Sequence, residues 1–180
     1  MTEVLHYYNS QLNLPIRYVF TNTLITEEHC LDRRCNLMLE MGKNYPNEVV
    51  VNSPILEKYI RTNYPNYKII SSTTKCLTNK ADALNEISKD YKLICLDYNL
   101  NKNFEFLNSI PIEQREKIEI LVNPICGLGC PNRQEHYRLN SLYNLTFGKT
   151  YSIFDCKIKE NILHPEHFKV AGISPEEIEQ

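Results

Sequence analysis

Five short runs of β-branched and aromatic residues recur along the chain, each ending in small polar residues: "IRYVFTN", "EVVVNS", "KIISSTT", "LICLDYN" and "EILVN". A weaker sixth follows in "FKVAG". Their near-continuous apolar character is what strands buried on both faces require, as in a parallel sheet covered by helices.

Helix signals lie between the runs. Thr26 is a candidate N-cap, with Glu27 and Glu28 in the first turn and Leu31, Leu37, Met38 and Met41 as apolar positions. Ser53-Pro54 gives an N-cap followed by a first-turn proline, and Leu56, Tyr59 and Ile60 then share one face. A third helix is expected over 78–89 with Leu84 and Ile87 inward, and a short fourth over 101–108, ended by Pro111. Strand, helix, strand at this spacing gives right-handed βαβ units, and units continuing in one direction close into a (β/α) barrel. A doubly wound sheet is the alternative, but no Gly-rich phosphate turn follows the first run, and the glycines of "CGLGC" do not match that fingerprint.

Six strands are too few for an eight-stranded barrel. The opening "EVLHYYNSQLNLP" reads as the tail of a helix, and Ser174-Pro175-Glu176-Glu177 announces another just before the chain stops. The expectation is an α/β fold: an incomplete (β/α) TIM-like barrel of about six parallel strands, one strand missing at each end. Residues 1–180 would form a single partial barrel domain, completed by a partner chain or prone to self-association through its open edges.

Composition excludes several other classes. The chain has 180 residues, is 42% hydrophobic and carries a formal charge of -2, which suits one soluble domain with a sizeable core. No block of like charge suggests nucleic acid as a partner. The first residues lack a basic start and an apolar run, and no apolar stretch approaches the roughly 20 residues that span a bilayer. A cytoplasmic location is the expectation.

In parallel α/β folds ligands sit at the carboxyl ends of the strands, where polar loops and helix N-termini converge. Here those ends carry Asn22, Asn52, Thr73, Lys75, Asp97, Asn99 and Asn123. Asparagine and serine there also serve as caps and turn formers, which is the favoured reading for Ser53. Lys75 and Asp97 are the catalytic candidates, an ammonium and a carboxylate near one mouth being able to bind or protonate a substrate. Asn22, Asn52, Thr73, Asn99 and Asn123 are candidates for substrate binding, with Arg133 and His136 from the segment after the fifth run.

Seven cysteines are many, and their odd number fits a disulfide framework poorly. In a reducing compartment each is a small core residue or a metal ligand. Cys95 reads as core and Cys76 is ambiguous. In "ILVNPICGLGCPNRQEHY", Gly127 and Gly129 let the backbone fold so that the sulfurs of Cys126 and Cys130 converge. Cys156 follows in the next connection, and Cys35 lies on the first helix after the first strand. Four thiolates suit an iron–sulfur cluster or tetrahedral zinc, and spacing does not separate the two. The zinc alternative takes Cys126, Cys130, Cys156 and either Cys35 or His136. A metal-free fragment with silent thiols is the third reading.

The segments "FTN", "HCLDRRCN", "NSPILEKYIRTNYPNYKIISSTTKC", "LDYNLN", "LVNPICGLGCPNRQEHY" and "FKVAG" together resemble a group of uncharacterised (β/α)-barrel proteins. Those are distantly similar to the collagenase-like peptidase superfamily, which includes proteins of oxygen-independent ubiquinone and RNA hydroxylation. In the hydroxylation branch four cysteines, one early and three later, hold a four-iron four-sulfur (4Fe-4S) cluster. The resemblance implies Cys35 as the early ligand, Cys126 and Cys130 as the pair and Cys156 as the remaining one, in a hydroxylating or other modifying enzyme. Two departures stand out: Cys156 follows the pair where one branch has that ligand before it, and the chain lacks the rest of the barrel. A peptidase has less support, since the sequence offers no H-E-x-x-H helix and no convincing nucleophile, histidine and acid set.

Overall fold

The computed structural model describes residues 2–124, 126–149 and 172–178. Helix α1 (Thr2–His6) runs through a π turn (Tyr7–Gln11) to strand β1 (Arg17–Phe20). There follow α2 (Arg33–Gly42), β2 (Glu48–Val51), α3 (Pro54–Asn63), β3 (Lys68–Ser71), α4 (Lys80–Ile87) and β4 (Leu93–Cys95). Helices α5 (Phe104–Ser109) and α6 (Ile112–Arg115) lead to β5 (Ile118–Glu119), then α7 (Arg133–Leu145) and α8 (Pro175–Ile178).

All five strands are parallel and lie in one sheet in the order β1-β2-β3-β4-β5. Each strand pairs with the next in the chain. That order is the barrel order; a doubly wound sheet reverses direction partway. The fold is therefore α/β with the architecture of an incomplete TIM-like barrel. The expected sixth strand, 168–172, falls almost wholly outside the described residues. Just past it, the Ile173 amide donates to the Val122 carbonyl at 2.9 Å, beside the end of β5.

Alternation along the strands sorts the two faces. Tyr18, Val49, Val51, Ile69 and Ile94 point to the helices and form one core with Leu39, Ile60, Ala83, Ile87 and Phe106. The opposite face carries a charged layer at the amino ends of the strands: Arg17 bridges Glu48 and Glu119, at 2.8 and 2.7 Å, and Lys92 also pairs with Glu48. Val19 on that face is 62% exposed.

The helix starts show which caps won. Ser53 accepts from Leu56 N ahead of Pro54, as expected. The helix expected from Thr26 begins later, because Asp32 accepts from Arg34 N and Cys35 N and takes the cap of α2. Thr26 instead bonds His29 before a 3-10 turn, Glu28–Leu31. Leu31 and Leu37 are consequently exposed, and Leu39 takes the core position. Asn79 and Asn103 cap α4 and α5 in the same way, trimming both expected helices at their starts. In α4, Ala83 joins Ile87 in the core while Leu84 is partly exposed. The sequence's last helix appears as α8, with Ser174 N donating to Glu177 Oε2 at 2.8 Å.

Behind the sheet, a polar knot fixes β1 to α2. Asn47, fully buried, accepts from Ile16 N and Asn9 Nδ2 and donates to Asn9 Oδ1 and the Gly42 carbonyl, at 2.7 to 3.1 Å. Gly42 is obligatory there: a Cβ would meet the Tyr67 hydroxyl at 2.4 Å and Asn47 Nδ2 at 2.6 Å.

Candidate functional site at the carboxyl ends of the strands

The parallel strands bring their polar ends to one side, but the side chains divide into three clefts. Asn22 and Cys35 line one of about 250 Å³ beside β1, with His29 and Cys30. Asn52, Thr74 and Lys75 line one of about 810 Å³ between α3 and α4. Asn99, Cys76, Cys130 and Arg133 line one of about 510 Å³ at the start of α7.

In the middle cleft Lys75 follows β3 on a 3-10 turn, Thr73–Lys75, and turns back along the helices. Its Nζ donates to Glu86 Oε1 at 2.6 Å and to the Tyr91 hydroxyl at 2.9 Å. The Tyr91 hydroxyl in turn donates to Glu57 at 2.7 Å. Glu86 is 3% exposed and also holds Ser71 and Lys89. Burial pushes its carboxyl up, but Lys75, Lys89 and Ser71 outweigh that and hold it at about 2, against an ordinary 4.5. Its ionised form thus contributes stability in full above pH 4.5, about 3 kcal/mol at roughly 1.4 kcal/mol per pH unit, and this is lost as pH falls toward 2. Urea unfolding between pH 6 and pH 2 should show that loss, and Glu86→Gln should flatten the curve over the same window. An unchanged acid limb in the variant would refute the assignment.

At the third cleft the strand end "LDYN" sets the geometry. Asp97 is buried; its Oδ1 accepts from Asn99 N at 2.9 Å and its Oδ2 from Arg133 Nη2. Arg133, 4% exposed on the first turn of α7, stacks with its guanidinium carbon 4.2 Å from the Tyr98 ring centre. Burial draws the guanidinium pKa down, while Tyr98 and Asp97 overcome this and keep it above its ordinary value. The Tyr98 side chain lies within interaction range of both Arg133 and the Cys126 thiol, and Arg133 also lies within range of Cys76.

Lys75 and Asp97 therefore belong to separate networks with no shared partner, and the structure does not assemble them as one acid–base pair. The physical reason is Glu86: a buried carboxylate draws Lys75 to the helix side. Arg133 is brought onto Asp97. Asn99 Oδ1 accepts from Gly129 N at 2.8 Å, tying the cysteine loop to β4. The remaining candidates hold the scaffold: Asn22 donates to the Ser141 carbonyl, Asn52 to Thr74, and Thr73 to the Leu96 carbonyl. Asn123 is exposed, and the His136 amide donates to the Asn132 carbonyl in α7.

The thiols divide in the same way. Cys126 and Cys130 lie within interaction range of each other beside Tyr98 and Arg133. Burial raises the Cys126 thiol, Tyr98 opposes this, and Cys130 adds to it. Cys76 stands at the same cleft in a left-handed conformation, φ 55°, which a non-glycine residue adopts at a cost of about 1–2 kcal/mol. Burial pushes the Cys95 thiol up to about 11, yet Cys95 is only half-buried and lies outside the core cluster, on the sheet face opposite Ile94, so it is not the plain core residue expected. Cys35 is exposed on the first turn of α2, where the Asp32 cap places it. Among the described residues no three His, Cys, Asp or Glu side chains converge as metal ligands. Neither Cys35 nor His136 thus joins Cys126 and Cys130, and Cys156 lies outside the described residues.

No family model and no curated protein matches the chain. A solved structure does: the U32 peptidase Mk0906, with a TM-score of 0.60 and 18% sequence identity over 88% of this chain and 65% of that one. The two share a fold. At that identity the likeness carries the barrel and not the chemistry, and this chain spans 65% of the neighbour's length. Among the described residues no helix is long and apolar enough to cross a membrane.

Sequence reasoning left Cys76 unassigned and missed Glu86. Glu86 reads as an ordinary helix residue, and only its place opposite Ser71 on β3 reveals it as buried.

Proposed function

We propose that this chain is part of a barrel protein with a metal–thiolate centre at its carboxyl mouth, serving a modifying enzyme such as an oxygen-independent hydroxylase. The observation that carries this reading is the adjacency of Cys126 and Cys130 beside the buried Asp97–Arg133 pair. Cys126, Cys130 and, from the resemblance, Cys156 are the ligands; Cys35, separated from the pair in this structure, is not. An iron–sulfur cluster is the first candidate and zinc the second. Three thiolates with one open position would make a centre that admits a further ligand. An iron–sulfur cluster would supply one-electron chemistry when bound. The chain's own residues orient: Asp97 fixes Arg133, Arg133 stacks on Tyr98, and Asn99 holds the cysteine loop through Gly129. A peptidase activity rests on the neighbour's name alone.

Protein purified anaerobically should be brown and contain iron and acid-labile sulfide. Cys126→Ala and Cys130→Ala should each lower bound iron at least tenfold, and Cys35→Ala should leave it unchanged. A colourless protein with stoichiometric zinc would select the zinc centre, and full iron retention in Cys126→Ala would overturn the ligand assignment.

A further inference from the structure

Of the three clefts at the carboxyl ends, the one between α3 and α4 is the largest, about 810 Å³, a size that suits a small organic ligand. None of the described cysteines lines it, and its charges do not balance. Lys58 and Arg61 from α3, Lys75 from the turn after β3 and Lys89 just past α4 face two carboxylates, Glu57 and Glu86. Four cations against two carboxylates leave an excess of two positive charges. The chain as a whole carries -2, so this excess is local. Both carboxylates are engaged within the network: Glu57 accepts from Arg61 and Tyr91, and Glu86 from Ser71, Lys75 and Lys89. Asp90, which Arg61 also reaches, is fully exposed and does not line the cleft. Lys58 forms no ion pair or hydrogen bond through its side chain among the described residues.

We propose that this cleft binds a small dianion, a phosphate ester or a dicarboxylate, with its charge against Lys58 and Lys75 and its carbon body along Leu77 and Tyr137. Clefts with an excess of one sign of charge between low-dielectric walls concentrate the field and attract the opposite sign. Lys75 is only 15% exposed along its side chain, so salt screens it less than a surface lysine. Glu86 and Tyr91 already fix its ammonium, so little side-chain freedom is lost when a ligand arrives. Pro54 adds to the apolar wall. The site goes beyond the metal reading and uses none of its residues. Gln134 borders both this cleft and that of the cysteine pair, so a ligand here would adjoin the metal centre.

Inorganic phosphate and succinate, titrated calorimetrically into the full chain at constant ionic strength, test this. At least one should bind saturably, one per chain, and the tighter of the two identifies the anionic group. Lys58→Glu and Gln134→Glu each put a carboxylate on one wall and should weaken binding at least tenfold. Both residues are exposed, so the melting temperature should hold and unfolding is not the cause. Lys58 also borders a groove on the other side of α3, and Gln134 the cysteine cleft; of these clefts the middle one alone has both, so the two losses together locate the ligand. Lys75 itself is left in place because the buried Glu86 depends on it. Lys68→Glu makes the same charge change as Lys58→Glu at the amino end of β3, and should leave binding within twofold of the parent. Absence of saturable binding for both dianions overturns the proposal, as does a loss below tenfold in either cleft variant or an equal loss in Lys68→Glu. With iron and zinc measured in the same sample, dianion binding by metal-free protein supports this site while counting against the metal reading. Metal-loaded protein that binds neither dianion does the reverse.

Discussion

Arg133→Met should lower the stability of the chain by about 3–5 kcal/mol, because it leaves the Asp97 carboxylate buried without its counter-charge. For a chain of this size that is a fall of roughly 6–20 °C in melting temperature. Asp97→Asn alone should cost a similar amount from the other side, stranding a guanidinium that is 4% exposed. The double variant removes both charges, and it should recover a large part of the loss, since a buried pair replaced as a unit is often nearly neutral. Urea melts of the four proteins give the coupling directly. Losses that simply add would mean that the two groups do not depend on each other, and the positioning role given to Asp97 would fall with that result.

The coupling matters for function because it links β4 to the helix that follows the cysteine loop. Asp97 and Arg133 are 36 positions apart, and their contact with the Asn99–Gly129 bond closes that loop onto the strand end. The Cys126–Cys130 pair is thereby held over the mouth.

What could be read from the sequence follows from what each signal measures. The strand runs were legible because a strand buried on both faces must be apolar nearly throughout, and "EVVVNS" or "KIISSTT" has no other stable use. Their succession was enough to give the barrel order. Caps were legible where competition was absent, as at Ser53-Pro54. They misled at Thr26, where Asp32 offers a stronger acceptor to the same helix. The mouth residues were legible as a set, since parallel strands must end together, but not as partners. Lys75 was claimed by Glu86, 11 positions later on α4, whose burial no periodicity announces. Cys35 was separated from Cys126 and Cys130 because convergence depended on where the excursion between β1 and α2 goes, which spacing cannot specify.

Asn47→Leu should be among the most damaging substitutions away from the mouth. Its side chain makes four hydrogen bonds with no exposure to water: it accepts from Ile16 N and Asn9 Nδ2 and donates to Asn9 Oδ1 and the Gly42 carbonyl. Leucine matches its bulk only loosely and satisfies none of them. The Ile16 amide, the Gly42 carbonyl and both ends of the Asn9 amide then lose that partner; Asn9 Nδ2 keeps only the Leu14 carbonyl. At about 1–3 kcal/mol for each stranded group, a loss of more than 3 kcal/mol is expected. Added volume beside Gly42, where even a single Cβ would clash, deepens it. The knot lies next to the Glu48 amide that bonds the Ile16 carbonyl, so β1 should loosen from β2 first. Amide exchange should therefore rise at Tyr18 and Phe20 before it rises at β3 or β4. Uniform protection across the sheet, or a loss below 1 kcal/mol, would show that the knot does not anchor the first strand.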